Sequence, residues 1–353
     1  MDVLIFGAGS IGNHLANASR NLDWNVTIFD IDQKALKRTK EEIYPGRYGR
    51  WDESIRLIDN LEELIISPDI IIVGTPPDSH INLALKALDY QPKAILIEKP
   101  LCTPSKEGLE ELIKKSHISK TKLFVGYNHV VGKASNKVAE LVKKKNFGEI
   151  ITIDVEFREH WGGIFSAHNW LKGPSDSYLG FYEKGGGATG EHSHAINLWQ
   201  HFAKLTDFGE VNEISATMQF DEKDGCKYDK IAAINLISNK QLIGRVIQDV
   251  VTKPARKWAR IQFAKGFIEW ECQSNVNDSV LYQDSTMNEP ITINFPKSRP
   301  DDFIAELIHI NEYIEGKILE NSPISLKRGY DTMSIISAAY HSGITKYPVK
   351  LPL

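Results

Sequence analysis

Directly after an apolar run, the sequence reads Gly7-Ala8-Gly9-Ser10-Ile11-Gly12, a G-x-G-x-x-G spacing that suits a phosphate. Gly7 makes a tight turn, Gly9 lets the backbone approach a pyrophosphate, and Gly12 lets a helix lie close to its strand. The N–H groups of the first helical turn, which opens with Ser10 and Ile11, have no partner inside the helix. The motif gains force from its context, because the next apolar run ends in Asp30 at close to the distance expected of a ribose-binding carboxylate. Ile31-Asp32 follow, with no basic neighbour to welcome a 2′-phosphate, so the expected cofactor is NAD, with NADP less favoured. A second group lies far downstream, where Gly185-Gly186-Gly187 leads to Glu191-His192-Ser193-His194 and Asn197. Residues three apart on a helix share a face, so one helix over 188–204 would turn Glu191, His194 and Asn197 into one cleft. Two histidines and a carboxylate invite a zinc reading. On one helix, however, residues 192 and 194 stand about 200° apart, whereas a helical zinc motif spaces its histidines four apart. No metal is expected.

Such residues need elements to position them. Short apolar runs at 3–6, 26–29, 70–73, 94–97 and 123–125 alternate with helical patterns at 11–21, 79–89 and 106–117. That rhythm describes a doubly wound parallel sheet, its strands buried on both faces. After residue 148 the period changes. Ile151, Ile153, Val155 and Phe157 alternate with Thr152, Asp154, Glu156 and Arg158, a strand with one wet face. Further strands at 231–237, 242–250, 260–264 and 267–271 are separated by turn signals, giving a second α/β domain with a large, open, mostly antiparallel sheet. The expected domains are residues 1–127 and 128–353.

Composition narrows the field. The 353 residues carry a net charge of −4 with no basic stripe, which argues against a nucleic-acid partner. The longest apolar runs fall far short of the roughly 20 residues needed to cross a bilayer. A strand signal at Val3 leaves no room for a signal peptide, and Cys102, Cys226 and Cys272 match neither a disulfide framework nor a zinc spacing. A cytoplasmic location is expected.

Gly74-Thr75-Pro76-Pro77, with Ser79-His80 after it, ends the third of these strands, and Glu98-Lys99-Pro100 ends the fourth. With the first glycine motif before them and Gly185–Gly187 and His194 after them, they resemble the Gfo/Idh/MocA oxidoreductases, the family of glucose-fructose oxidoreductase and inositol dehydrogenase. The resemblance implies a Rossmann domain followed by a substrate-binding and oligomerising α/β domain. It implies that Thr75, Pro76, Pro77, His80 and Glu98 line the nicotinamide half of the cofactor, and that Lys99 reaches the nicotinamide ribose and the substrate hydroxyl. Pro100 resembles a family proline that often follows a cis peptide, and Asn128 one that stands near the nicotinamide. The family pattern has aspartates where this chain has Glu191, one residue too close, and Asn197. The chemistry implied is hydride transfer between nicotinamide and a secondary hydroxyl of a sugar, amino sugar, nucleotide sugar or cyclitol. A base with a pKa near neutrality takes the hydroxyl proton, which suits His194 or, less well placed, His192. A lysine ammonium stabilises the alkoxide.

After the first strand of the second half lies an aromatic and histidine-rich stretch with Trp161, His168, Trp170 and Tyr182, preceded by Arg158. Aromatic faces and imidazoles suit a sugar ring, and Arg158 an anionic substituent; packing or a subunit interface explains the same residues equally well. The family likeness further implies a homodimer or homotetramer through the open sheet. Two rival functions remain at this stage: a glycosidase or epimerase that retains NAD and oxidises its sugar transiently, and a noncatalytic NAD-binding sensor.

Overall fold

A computed structural model of the chain describes every residue except 167–169, 224, 274, 275, 319 and 353. The chain divides into two compact units, Met1–Asn128 with Arg299–Gly329, and His129–Ser298 with Tyr330–Leu353. The segment Arg299–Gly329 thus belongs to the first unit although it follows the second in chain order.

The first unit is built on six strands: β1 (Asp2–Phe6), β2 (Asn25–Phe29), β3 (Ile55–Ile58), β4 (Ile70–Val73), β5 (Ala94–Ile97) and β6 (Lys122–Val125). They pair in parallel in the order β3-β2-β1-β4-β5-β6. Every residue of β4 and β5 is buried, as their unbroken apolar sequences require. Strand order reverses direction at β1 and β4, and in such sheets ligands bind beyond the carboxyl ends of the strands at that point. β3 was not anticipated; Arg56 interrupts its apolar run, as an edge strand tolerates. Asp32 caps the helix Gln33–Arg38 by accepting from the Lys34 amide. Along β6, the amide of Val125 donates to the Ile324 carbonyl at 2.8 Å, so the returning segment covers that edge.

The second unit holds β7 (Ile150–Arg158), β8 (Val211–Lys223), β9 (Cys226–Ser238), β10 (Ile243–Asp249), β11 (Arg256–Phe263), β12 (Gly266–Gln273), β13 (Asn277–Gln283), β14 (Ile291–Pro296) and β15 (Val349–Lys350). They form one sheet in the order β14-β13-β12-β11-β7-β10-β9-β8-β15, antiparallel except where β7 meets β10. Ile153, Val155 and Phe157 of β7 are buried, and the alternate face carries cross-strand ion pairs such as Asp154 with Arg245 at 2.6 Å. Pairs this exposed contribute little stability, typically below about 1 kcal/mol; the apolar face does the holding. On that face Trp199, fully buried on the helix His194–Leu205, donates from Nε1 to the Ile153 carbonyl at 3.0 Å and so fixes the helix over β7.

Candidate active site

In the first unit the expected residues stand at the carboxyl ends of four strands. After β1, Gly7 has φ +106°, and a Cβ on Gly12 would lie 2.0 Å from the Gly7 carbonyl oxygen, so the helix Ser10–Asn21 can start there only on glycine. At Gly9 nothing lies within 4 Å of a would-be Cβ. That open side, with the helix's first N–H groups beside it, fits the approach of a pyrophosphate. The loop is braced from within: Asn13 Nδ2 donates to the Gly9 carbonyl at 2.8 Å, and Arg47 donates to the carbonyl and hydroxyl of Ser10 at 2.9 and 2.8 Å. Arg47 was passed over because nothing local marks it; only the fold returns it to the glycines.

After β2, Asp30 accepts from the Ala8 amide at 2.8 Å through Oδ2 and from the Asp32 amide at 2.9 Å through Oδ1. Its carboxylate is thereby aimed with lone pairs left for hydroxyl donors, while the neighbouring Ile31 is exposed. After β4, the hydroxyls of Thr75 and Ser79 lie 2.6 Å apart, and Pro76 and Pro77 open the helix Pro77–Leu88. His80 is fully buried, with Nε2 2.7 Å from the Thr75 carbonyl and Nδ1 3.0 Å from that of Pro100. Burial holds its pKa below the usual value, although both carbonyls favour the charged ring. His80 therefore ties the end of β4 to the turn after β5.

That turn carries Glu98, buried, and Lys99, half-buried, and the Lys99–Pro100 peptide is cis. The Lys99 amide donates to Glu98 Oε2 at 3.3 Å. Unforeseen from sequence is Glu306, on the helix Asp301–Ile314. It is fully buried, with neither carboxyl oxygen hydrogen-bonded among the described residues. Burial, and then the charges of Glu98 and Asp302, push its pKa well above the carboxylate range. Asn128 closes the unit's first segment and is buried.

In the second unit, the single helix expected over 188–204 is two, Gly187–Glu191 and His194–Leu205, with His192 and Ser193 in the turn between them. Ser193 stands at the N-cap of the second helix, and Gln248 on β10 holds the turn. Its buried amide donates to the His192 carbonyl at 2.6 Å and to that of Thr189 at 3.4 Å, so a distant side chain takes carbonyls that a continuous helix would use. Glu191 and His194 thus belong to different helices, and the shared-face argument holds only for His194 and Asn197. The sequence reading of 192 and 194 as two positions on one helix falls with it.

The glycine run before this turn is locked by Asp229 of β9. Its Oδ2 accepts from the amide and hydroxyl of Thr189 at 2.8 and 2.6 Å, and its Oδ1 from the Tyr340 hydroxyl at 2.7 Å. Gly187, at φ +76°, is where a Cβ would lie 2.0 Å from that same carboxylate, so both the turn and the close approach require glycine. Burial raises the Asp229 pKa to about 6 despite the three donors.

His194 stands at the start of its helix, its ring 4.8 Å from that of His129 and 6.5 Å from that of Phe157. His192 is buried and Glu191 half-buried. Asn197 is only 1% exposed and donates to the Thr332 hydroxyl at 3.4 Å, an interior position. Arg158 pairs with Asp249 at 2.6 Å. Trp161 packs in an apolar cluster with Ile164, Leu179, Tyr228 and Val250, and the Tyr182 ring lies against Tyr340 and Phe220. Trp170 is half-buried, and His168 lies outside the described residues.

Comparison with known proteins agrees with this geometry. The family described as an oxidoreductase family with an NAD-binding Rossmann fold matches residues 1–127. An oxidoreductase of Formosa agariphila is 27% identical over 255 residues, covering 69% of this chain and 67% of its own length. Among solved structures, the WlbA dehydrogenase of Bordetella pertussis in complex with NADH and UDP-GlcNAcA aligns with TM-score 0.75 at 17% identity, over 100% of this chain and 98% of that one. The aldose-aldose oxidoreductase of Caulobacter crescentus, complexed with glycerol, aligns with TM-score 0.77 at 18% identity, over 99% of each chain. These two likenesses concern the fold. The glycine loop at residues 7–12, the carboxylate after β2 and the Glu98-Lys99-Pro100 turn after β5 all lie within the residues, 1–127, that match this NAD-binding oxidoreductase family.

Proposed function

We propose that the protein is an NAD-dependent dehydrogenase that oxidises a secondary hydroxyl of a sugar, amino sugar, nucleotide sugar or cyclitol. The observation that carries this reading is one sheet whose strand ends present the open glycine turn, the aimed Asp30 carboxylate and Lys99. The nucleotide sugar and the aldose named for two structural neighbours support the substrate class.

The residues fit a bound dinucleotide, which supplies the hydride acceptor. The amides at the start of the helix Ser10–Asn21 hold the pyrophosphate, and Asp30 accepts from the adenosine ribose hydroxyls and repels a 2′-phosphate, which selects NAD over NADP. Thr75, Pro76, Pro77, His80, Glu98 and Asn128 shape the nicotinamide half, with His80 holding two strand ends together. The Lys99 ammonium lowers the pKa of the substrate hydroxyl and stabilises the alkoxide, and His194 takes the proton. Glu191 and His192 border that histidine. The exposed face of the β7–β15 sheet pairs copies of the chain as a homodimer or homotetramer, which light scattering reads directly.

Purified protein with NAD is screened against sugars, nucleotide sugars and inositols, reading NADH by absorbance. Turnover of at least one secondary alcohol is expected. Interconversion or cleavage of a sugar without net NADH release overturns the dehydrogenase in favour of a cofactor-retaining enzyme, and NAD binding with no chemistry on any compound overturns catalysis.

A further inference from the structure

The glycine loop of the first unit is braced by a cation, which so far has no part in binding. Arg47 lies in the short helix Tyr44–Tyr48, and its guanidinium spans Ser10. One nitrogen donates to the Ser10 carbonyl at 2.9 Å and another to the Ser10 hydroxyl at 2.8 Å. Ser10 is the first residue of the helix Ser10–Asn21, so this contact sets a half-buried positive charge at the helix N-terminus. That end is already the positive pole of the helix dipole, and no acidic residue stands in its first turn. The base from which Arg47 reaches is itself fixed. Tyr44 is buried, its hydroxyl accepts from Asn17 Nδ2 at 3.1 Å, and its ring lies 5.3 Å from that of Trp51. A second cation comes from the returning segment. Nη1 of Arg299, an exposed residue, lies 3.2 Å from His14 Nε2, one turn along the same helix, and His14 Nδ1 lies 2.6 Å from the Tyr48 hydroxyl. Burial lowers the Arg47 pKa; Tyr48 opposes this and the Arg299 charge adds to it, so the two guanidiniums share one field.

We propose that Arg47 is a cofactor-binding residue whose charge is set against the dinucleotide pyrophosphate, with Arg299 adding to the positive field at the same helix end. The inference rests on the reading of the glycine loop as the dinucleotide site. The loop amides meet the pyrophosphate with partial charges, and Arg47 adds a whole one beside them. A guanidinium is a planar, permanently charged donor suited to phosphate oxygens, and charge-assisted hydrogen bonds are roughly twice as strong as neutral ones. The charged groups of the loop thereby divide the ligand between them. Asp30, which holds the Ala8 amide, faces ribose hydroxyls, and Arg47, which holds Ser10, faces the phosphates. Arg47 then differs from a brace that only shapes the loop, because its contribution is electrostatic and is weakened by salt.

The test compares ligands that differ in their phosphates. Calorimetry on the full chain measures dissociation constants for ADP-ribose, for 2′-phosphorylated ADP-ribose and, by displacement, for adenosine, each at about 20 mM and about 500 mM sodium chloride. Arg47→Gln should weaken ADP-ribose about tenfold or more at low salt and much less at high salt, while adenosine changes less than about twofold. Arg47→Lys, which keeps the charge, should recover most of that loss. Arg47→Met keeps the packing of the stem and serves in place of the glutamine variant if that one fails to fold. An equal loss at both salt concentrations, unrelieved by lysine, shows a brace on Ser10 and overturns the proposal. So does a loss confined to the 2′-phosphorylated ligand, which assigns Arg47 to a 2′-phosphate. No turnover is needed, so the readings separate. ADP-ribose that fails to bind the unchanged protein removes the dinucleotide site and this role with it; binding that is indifferent to every Arg47 variant removes the role of Arg47 alone.

Discussion

Asp229 makes the stability of the second unit depend on pH in a direction opposite to that of most carboxylates. Its pKa in the fold is about 6, against an ordinary value of 3.8, because complete burial outweighs three hydrogen-bond donors. An acid whose pKa is raised by folding stabilises fully below its unfolded pKa, and that contribution is lost as the pH rises through the folded value. The difference of about two units, at about 1.4 kcal/mol each, predicts a loss of about 3 kcal/mol between pH 4 and pH 7. Asp229→Asn should remove the dependence while keeping the clamp, since the amide oxygen still accepts from Thr189 and the amide nitrogen meets the Tyr340 hydroxyl as a donor. Urea unfolding of both proteins, followed by tryptophan fluorescence at half-unit steps from pH 4 to 8, gives the difference in free energy at each pH. The unchanged protein should lose ground to the variant across pH 4 to 6 and hold a constant deficit above. A flat difference would show that Asp229 titrates normally, and one of opposite slope that its donors outweigh its burial; either refutes the reasoning.

Three further outcomes follow from the first unit. Dissociation constants should favour NAD over NADP, and Asp30→Ala should narrow the gap; tighter NADP binding by the unchanged protein contradicts the role given to that carboxylate. Lys99→Ala should lower kcat/KM by about two orders of magnitude or more with the fold intact, the usual scale for losing an electrostatic or proton-transfer partner, and steady-state kinetics beside circular dichroism check it. Glu306→Gln should leave the protein at least as stable at neutral pH and flatten its pH dependence, because burial and the nearby Glu98 charge raise the acid's pKa in the fold above its value in the unfolded chain. A thermal midpoint several degrees below that of the unchanged protein at pH 7 would instead show a charged, structural carboxylate.

Much of the first unit was readable because its chemistry is local. A buried parallel strand announces itself as an apolar run, as β1, β2, β4, β5 and β6 do, and the first four of these end where the glycine, aspartate, threonine and lysine motifs begin. β3 was hidden by Arg56, which an edge strand admits and a central one does not. The second unit was legible in period but not in detail. Between Gly187 and Leu205 the break is marked only weakly, by Gly190 and by Ser193 at the N-cap of the second helix, with no proline, and Gln248, 56 residues away, holds the turn. Asp229 and Tyr340, 111 residues apart, were silent for the same reason: an acid in a strand and a tyrosine in a helix carry no signal until the fold joins them. Arg47 and Glu306 likewise acquired meaning only through what lies beside them.

The covered edge of β6 has a consequence for synthesis on the ribosome. Val125 is made long before Ile324, whose carbonyl its amide must find, and before Ser325, which bridges to Phe124. At translation rates of about 5 to 20 residues per second, the nascent first unit waits roughly 10 to 40 s with that strand edge unpaired. An unpaired edge is a template for wrong pairing, so the order of the chain itself creates a period in which a holding chaperone or slow dilution matters. Protease digestion of released, truncated chains reads this directly: those ending near residue 150 should be cut at β6, the full chain should be protected there, and equal protection in both would show that the edge closes without the returning segment.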